Sequence, residues 1–301
     1  MILQLPYWPG MLVDAHVHLF PPRVFEALWR WFDTHAWEIQ YRLHSDEAVA
    51  FLRSHGVDKL VSLVYSHKPG MAAVLNRYAA ELGRRYAEII PLGTVLPGEP
   101  DAEAVVDEAL ALGLRGFKLH CHVQAMAIDD ARLTPIFRRA VAANVPMVVH
   151  SGRAPSSSGY GMDPKQLCSV AATRRVLERH PDLRLCIPHL GADEILAHLD
   201  LLDAFEHLYL DTTMALAGCF DGEPPPPSAP ELTAASMGAD AVEPAELLRR
   251  IERHPTRFLY GTDFPNLPYD WDRELRWLGA QALSATAKEA IFGGNALRLF
   301  T

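Results

Sequence analysis

No apolar stretch in the 301 residues reaches the ~18 that a membrane-spanning helix needs, so a bilayer protein is not expected. Cysteine is scarce. Cys121, Cys168, Cys186 and Cys219 are widely spaced with no Cys-x-x-Cys pair, which argues against a zinc knuckle or a disulfide framework and for reduced, partly buried thiols. Basic runs are missing too. Lys and Arg number 28 against 37 Asp and Glu, a net charge of -9, and the clustered cations that nucleic acid or an anionic membrane would require are absent. Met1 to Gly10 carries Pro6 and Pro9 without a basic leader, so no secretory signal is read there and a cytoplasmic location is expected.

What is present is the material of a core. Hydrophobic residues make up 49% and charged residues 22%, the balance of a soluble globular protein. The length fits two ordinary domains or one α/β barrel, and the chain pattern must decide. The organising stretch is Val13-Asp14-Ala15-His16-Val17-His18-Leu19-Phe20, an apolar run that ends in two histidines and is stopped by Pro21-Pro22. Side chains alternate along a strand, so His16 and His18 share a face and converge at its end. Neutral imidazole is a common ligand for zinc and similar metals, although a lone His-x-His is equally at home as a polar strand end.

Downstream, Phe20 to His44 is rich in Trp and Phe and reads as an amphipathic helix, either packed on the core or lying as a lid over a pocket. A helix over Ser45 to His55 is closed by Gly56. From there, short apolar strands alternate with amphipathic helices: Lys59 to Tyr65 and Met71 to Tyr86, Ile89 to Val95 and Asp101 to Leu112, Leu114 to His120 and Asp130 to Ala143. The series continues with Pro146 to His150 and Pro164 to His180, then Leu183 to Ile187 with a helix through Leu199. His207 to Asp211 and Arg257 to Tyr260 complete it. Such alternation predicts a parallel sheet with helices outside, and eight units close an α/β barrel of the (β/α)8 kind. The long loop after the seventh strand, Ala217 to Glu243 with four consecutive prolines, reads as a mobile flap or an inert insertion.

Chemistry gathers at the strand ends. His16 and His18 end the first strand, Lys118 and His120 the fourth, His150 the fifth, His189 the sixth and Asp263 the eighth. Buried parallel strands tolerate such groups only when they have partners. Other histidines, namely His55, His180, His198 and His254, sit where capping or solvation explains them.

The words DAHVH at 14–18, GFKLH at 116–120, PMVVHSG at 146–152, PHLG at 188–191, YGTDFP at 260–265 and NALRLF at 295–300 span the chain in one order. In them the chain resembles the amidohydrolase superfamily. Within it the likeness is to the amidohydrolase 2 branch, TIM-barrel hydrolases grouped with decarboxylases similar to aminocarboxymuconate semialdehyde decarboxylase. The resemblance implies one TIM-barrel domain over 1–301. It also implies one divalent metal, zinc or else manganese, held by His16, His18, His150 and Asp263. Three nitrogens and a carboxylate suit a borderline ion and leave a position for water, whose pKa a metal can bring to about 7. Metal-bound hydroxide is therefore the expected nucleophile against a small amide, ester or lactone, and non-oxidative decarboxylation of an aromatic or enolic acid is the rival. By the same resemblance His189 and Asp263 are catalytic, moving the proton. Lys118 is expected unmodified, although elsewhere in the superfamily a lysine at this place is carbamylated and bridges two metals.

Beyond the metal shell, Lys118, His120 and Arg153 are expected to bind a small, anionic substrate, with His122, His67 and Lys68 nearby. The triplet His120-Cys121-His122 holds more ligands than the family word requires, which leaves an additional metal site open. The exposed aromatic segment would suit a homodimer contact.

Overall fold

The computed structural model describes residues 8–155, 157–216 and 242–301, in which parallel strands alternate with helices. The strands are β1 (Val13–His18), β2 (Lys59–Leu63), β3 (Ile89–Pro91), β4 (Phe117–His120), β5 (Met147–His150), β6 (Leu185–Ile187), β7 (Leu208–Asp211) and β8 (Phe258–Leu259). Ladders join β1 to β3 and β4 to β8, all parallel. Single bridges close the two remaining seams. Gly93 pairs with Phe117 between β3 and β4, and Val17 with Phe264 between β8 and β1. Across the second seam Ala15 donates to the Tyr260 carbonyl (2.9 Å) and His18 to that of Phe264 (2.8 Å). The fold is the expected (β/α)8 barrel.

Its core has two layers. Val13, Ala15, Val61, Leu63, Ile90, Val148, Cys186 and Leu259 fill the barrel, together with Leu299 and Phe300 of the last helix, Asn295–Phe300. A larger cluster lies between the strands and the surrounding helices and holds Leu12, Val17 and Leu19 from β1 and its flanks. Val13 and Ala15 thus point inward, and strict alternation would continue with Val17. The register against β2 instead shifts between Asp14 and Val17. A bulge of this kind reverses the facing of every residue beyond it, which sends Val17 outward and turns His16 and His18 to the barrel interior.

Local chemistry adjusts several expected boundaries. Pro91, without an N–H, ends β3 early. The helix expected over Pro164 to His180 is two, Pro164–Leu167 and Val170–Arg179. They are separated because the Ser169 side chain accepts from the Ala172 N–H and so caps the second. The helix expected from Asp130 begins as a 3-10 turn, Ala131–Leu133, before Thr134–Ala142. The aromatic helix, Pro22–His35, divides its faces: Phe25 is buried in the core, while Leu28, Trp31 and Phe32 line a cavity. The flap expected over Ala217 to Glu243 lies, apart from Val242 and Glu243, outside the described residues. Among the described residues no helix is long and apolar enough to cross a membrane.

Candidate metal centre at the barrel mouth

A cavity of about 720 Å³ opens at the C-terminal ends of the strands, where barrels of this type carry their sites. His16, His18, Lys118, His120, His150, His189 and Asp263 all line it. Arg153 does not. It reaches to Asp193 (3.1 Å) and Glu194 (3.5 Å) on the segment after β6, an ion pair that holds two loops together.

Each histidine on the first wall is anchored through one nitrogen. His16 Nδ1 donates to the Asp211 carboxylate (2.9 Å), His18 Nδ1 to the Leu63 carbonyl (3.0 Å) and His189 Nδ1 to the Thr213 carbonyl (2.8 Å). A carbonyl can only accept, so Nδ1 carries a proton in His18 and His189, which leaves Nε2 as the nitrogen free to take a second partner. A carboxylate partner assigns His16 the same tautomer. Burial, with the Lys118 ammonium beside it, takes the His16 ring down to about 3, so it is neutral. Burial likewise lowers the pKa of His189.

Other polar groups face these Nε2 atoms. His18 Nε2 is 2.9 Å and His16 Nε2 3.6 Å from Asp263 Oδ1, and Lys118 Nζ lies 3.4 Å from His16 Nε2. Burial pushes the Asp263 carboxyl upward, yet His18, His16 and His189 hold it below the usual range, so it is ionised. An imidazole nitrogen 2.9 Å from a carboxylate oxygen needs a positive charge between them, which either a proton or a metal ion supplies. Donor atoms of His16, His18 and Asp263 all lie within 4.8 Å of one another, and the set fits a divalent cation. His150 falls in a neighbouring group with His120 and His122. Its ring is stacked on His120 (4.1 Å between centroids) and edge-on to His189 (4.7 Å).

Backbone geometry at these ends is unusual. His189 and Asp263 have φ of 58° and 76°, and Leu190 and Ala192 are also left-handed, a strain that clusters at functional sites. Gly261 is required: a Cβ there would sit 2.4 Å from Thr213 Oγ1 and 2.8 Å from His16 Cβ.

Four contributors were absent from the expected site. Asp211 accepts from His16 Nδ1 and from the backbone N–H of His189 and Thr213 (both 3.1 Å). His16 and its other neighbours draw its carboxyl down to about 2 against the upward push of burial. It ends an apolar strand as Asp263 does, so the strand-end criterion could have found it. Asp14 accepts from Thr262 Oγ1 (2.6 Å) and from the N–H of His16 and Thr262, and burial raises it to about 7. Tyr65 and Tyr160 line the cavity against His18 and His122, and no sequence signal separated them from core aromatics.

A family model described as Amidohydrolase matches residues 13–301. An uncharacterised TIM-barrel protein from Bordetella bronchiseptica is 20% identical with a TM-score of 0.70, over 96% of this chain and 98% of that one. The 5-carboxyvanillate decarboxylase of Novosphingobium aromaticivorans, in complex with manganese and 4-hydroxy-3-methoxy-5-nitrobenzoic acid, is 17% identical with a TM-score of 0.61, over 96% of each chain. The 4-oxalomesaconate hydratase of Rhodopseudomonas palustris is 15% identical with a TM-score of 0.58, over 96% and 95%. At these identities the likeness concerns the fold. No protein of curated function matches the chain.

Proposed function

Since the chain belongs to the amidohydrolase family, we propose that it is a metal-dependent hydrolase of a small amide, ester or lactone, worked by the residues at its barrel mouth. The observation that carries this reading is the convergence of the His16 and His18 Nε2 atoms on an ionised Asp263 oxygen, inside a cavity large enough for a small molecule. His16, His18 and Asp263 would hold a divalent ion with His150 as fourth ligand, zinc by donor type or manganese as in the decarboxylase above. Bound there, such an ion supplies Lewis acidity, lowering the pKa of water to about 7 and polarising a carbonyl oxygen.

The chain's own groups do the rest. His189 presents its Nε2 lone pair to the cavity and takes the proton from the attacking water, and its lowered pKa keeps it unprotonated at neutral pH for that task. Asp263, 2.9 Å from His18 Nε2, helps to orient that water and relays its proton. Lys118, drawn down to about 8 by burial but still largely charged at neutral pH, faces the acyl oxygen as negative charge develops, and His120 lines the same wall. Trp31, Phe32 and Tyr160 exclude water and hold the apolar body of the substrate.

That aromatic wall also suits a flat aromatic acid, which keeps a non-oxidative decarboxylase as the second reading. A panel of lactones, esters, amides and aromatic acids, run in ¹⁸O-water on metal-loaded protein, separates the two. Label in the product supports hydrolysis; carbon dioxide released without label replaces it with decarboxylation. His189→Asn should lower kcat by about 10²–10⁴ while metal content stays constant.

A further inference from the structure

Beside the first group of donors stands a second whose three members the reaction above does not use together. β4 and β5 pair in register at His120 and His150, which stacks the two rings at 12°. The short helix after β4, Cys121–Gln124, turns His122 into the same corner, its ring edge-on to His150 with centroids 4.6 Å apart. One donor atom from each of His120, His122 and His150 lies within 4.8 Å of the others.

The protonation of this corner follows from its contacts. His122 Nε2 is 2.7 Å from the Gly152 carbonyl and must therefore carry the ring proton, which leaves a lone pair on Nδ1. That Nδ1 makes no well-aligned hydrogen bond, although the Cys168 thiol lies beside the ring, and His120 Nδ1 and His150 Nε2 are buried without a hydrogen-bond partner. Buried polar atoms are nearly always satisfied, and each orphan costs about 1–3 kcal/mol. Three orphaned imidazole nitrogens in one corner mark a place built for something that is not protein. His122 Nδ1 offers a lone pair, and His120 and His150 can each offer one to the same point, an arrangement that suits a cation.

We propose that His120, His122 and His150 hold a second divalent cation, of the borderline class that imidazole ligates: zinc, cobalt or nickel. A three-histidine set would leave a coordination position open for water or substrate, and all three residues line the cavity. The proposal rests on the first metal in one respect only, because His150 borders both groups. Neither ring nitrogen is hydrogen-bonded to the described protein, and since a neutral imidazole has a single lone pair, His150 serves both ions as a bridging imidazolate whose N–H proton is released to solvent on metal binding.

Metal-free full-length chain titrated with cobalt(II), followed by its visible absorption and by elemental analysis after dialysis, provides the test. The wild type should bind two equivalents. His122→Gln and His120→Asn should each lose one of them, and His18→Asn should lose the other. Saturation of the wild type at one equivalent overturns the second site, and so does retention of both equivalents in His122→Gln and His120→Asn. Should those variants fail to fold by circular dichroism, the wild-type stoichiometry decides alone. One equivalent that is lost in His18→Asn but kept in His122→Gln removes only this inference, whereas no bound metal in the wild type removes the proposed function with it.

Discussion

Replacing Asp211 with Asn should weaken metal binding without removing a single ligand. The amide has the shape of the carboxylate, and its remaining oxygen can keep the two backbone donors, His189 N and Thr213 N at 3.1 Å. The atom facing His16 Nδ1 then becomes an NH₂ group, which donates where the carboxylate accepted. The His16 ring must respond by moving its proton to Nε2, the nitrogen that points toward Asp263 and would bind the ion. Loss of such a supporting contact typically costs 10–100-fold in metal affinity, about 1.4–2.7 kcal/mol. The fold should suffer less, because the Asn also relieves a fully buried charge. Competition against a chelator of known affinity measures the first quantity and denaturant unfolding of the metal-free forms the second. Wild-type metal affinity in Asp211→Asn would refute the tautomer assignment for His16 and the ligand role built on it.

Gly261→Ala places a methyl group 2.4 Å from Thr213 Oγ1 and 2.8 Å from His16 Cβ, and overpacking of this order should cost about 1–3 kcal/mol in a denaturant titration. His198 is buried, and burial lowers its pKa from 6.5 to about 4. Its contribution to stability, about 3 kcal/mol, is therefore complete above pH 6.5 and lost as the pH falls toward 4, and the acid limb of urea midpoints should flatten in His198→Gln. Arg153→Ala should leave KM near the wild-type value in steady-state assays and act on stability, because its partners are Asp193 and Glu194.

The barrel was legible because short apolar runs, amphipathic helices and closing glycines agreed along the chain. Strand ends were less legible. Ser169 interrupts a stretch whose apolar period runs on without a break, and only its side-chain contact to Ala172 reveals the cap. Asp211 stood at a strand end where the criterion applied to Asp263 would have picked it out, but its three hydrogen bonds, which set its role, leave no pattern in the sequence. Arg153 shows the converse, a cation next to the right strand whose acids arrive from the following loop.

The two histidines of β1 show how a correct expectation can rest on an incomplete reason. Alternation does place His16 and His18 on one face, but in a regular strand that face would be opposite to Val13 and Ala15, on the helix side of the barrel. The bulge between Asp14 and Val17 reverses it. Asp14 is the residue placed to hold that irregularity, since its carboxyl accepts from the His16 N–H two residues on and from Thr262, the neighbour of Asp263 on the far side of the seam. One buried side chain thus ties the segment that carries two candidate ligands to the segment that carries the third. Asp14→Ala should therefore loosen both at once: about 2–5 kcal/mol of stability from unsatisfied buried donors, accompanied by loss of metal at concentrations that saturate the wild type. Full metal content in a destabilised Asp14→Ala chain would mean that the bulge stands without its clamp.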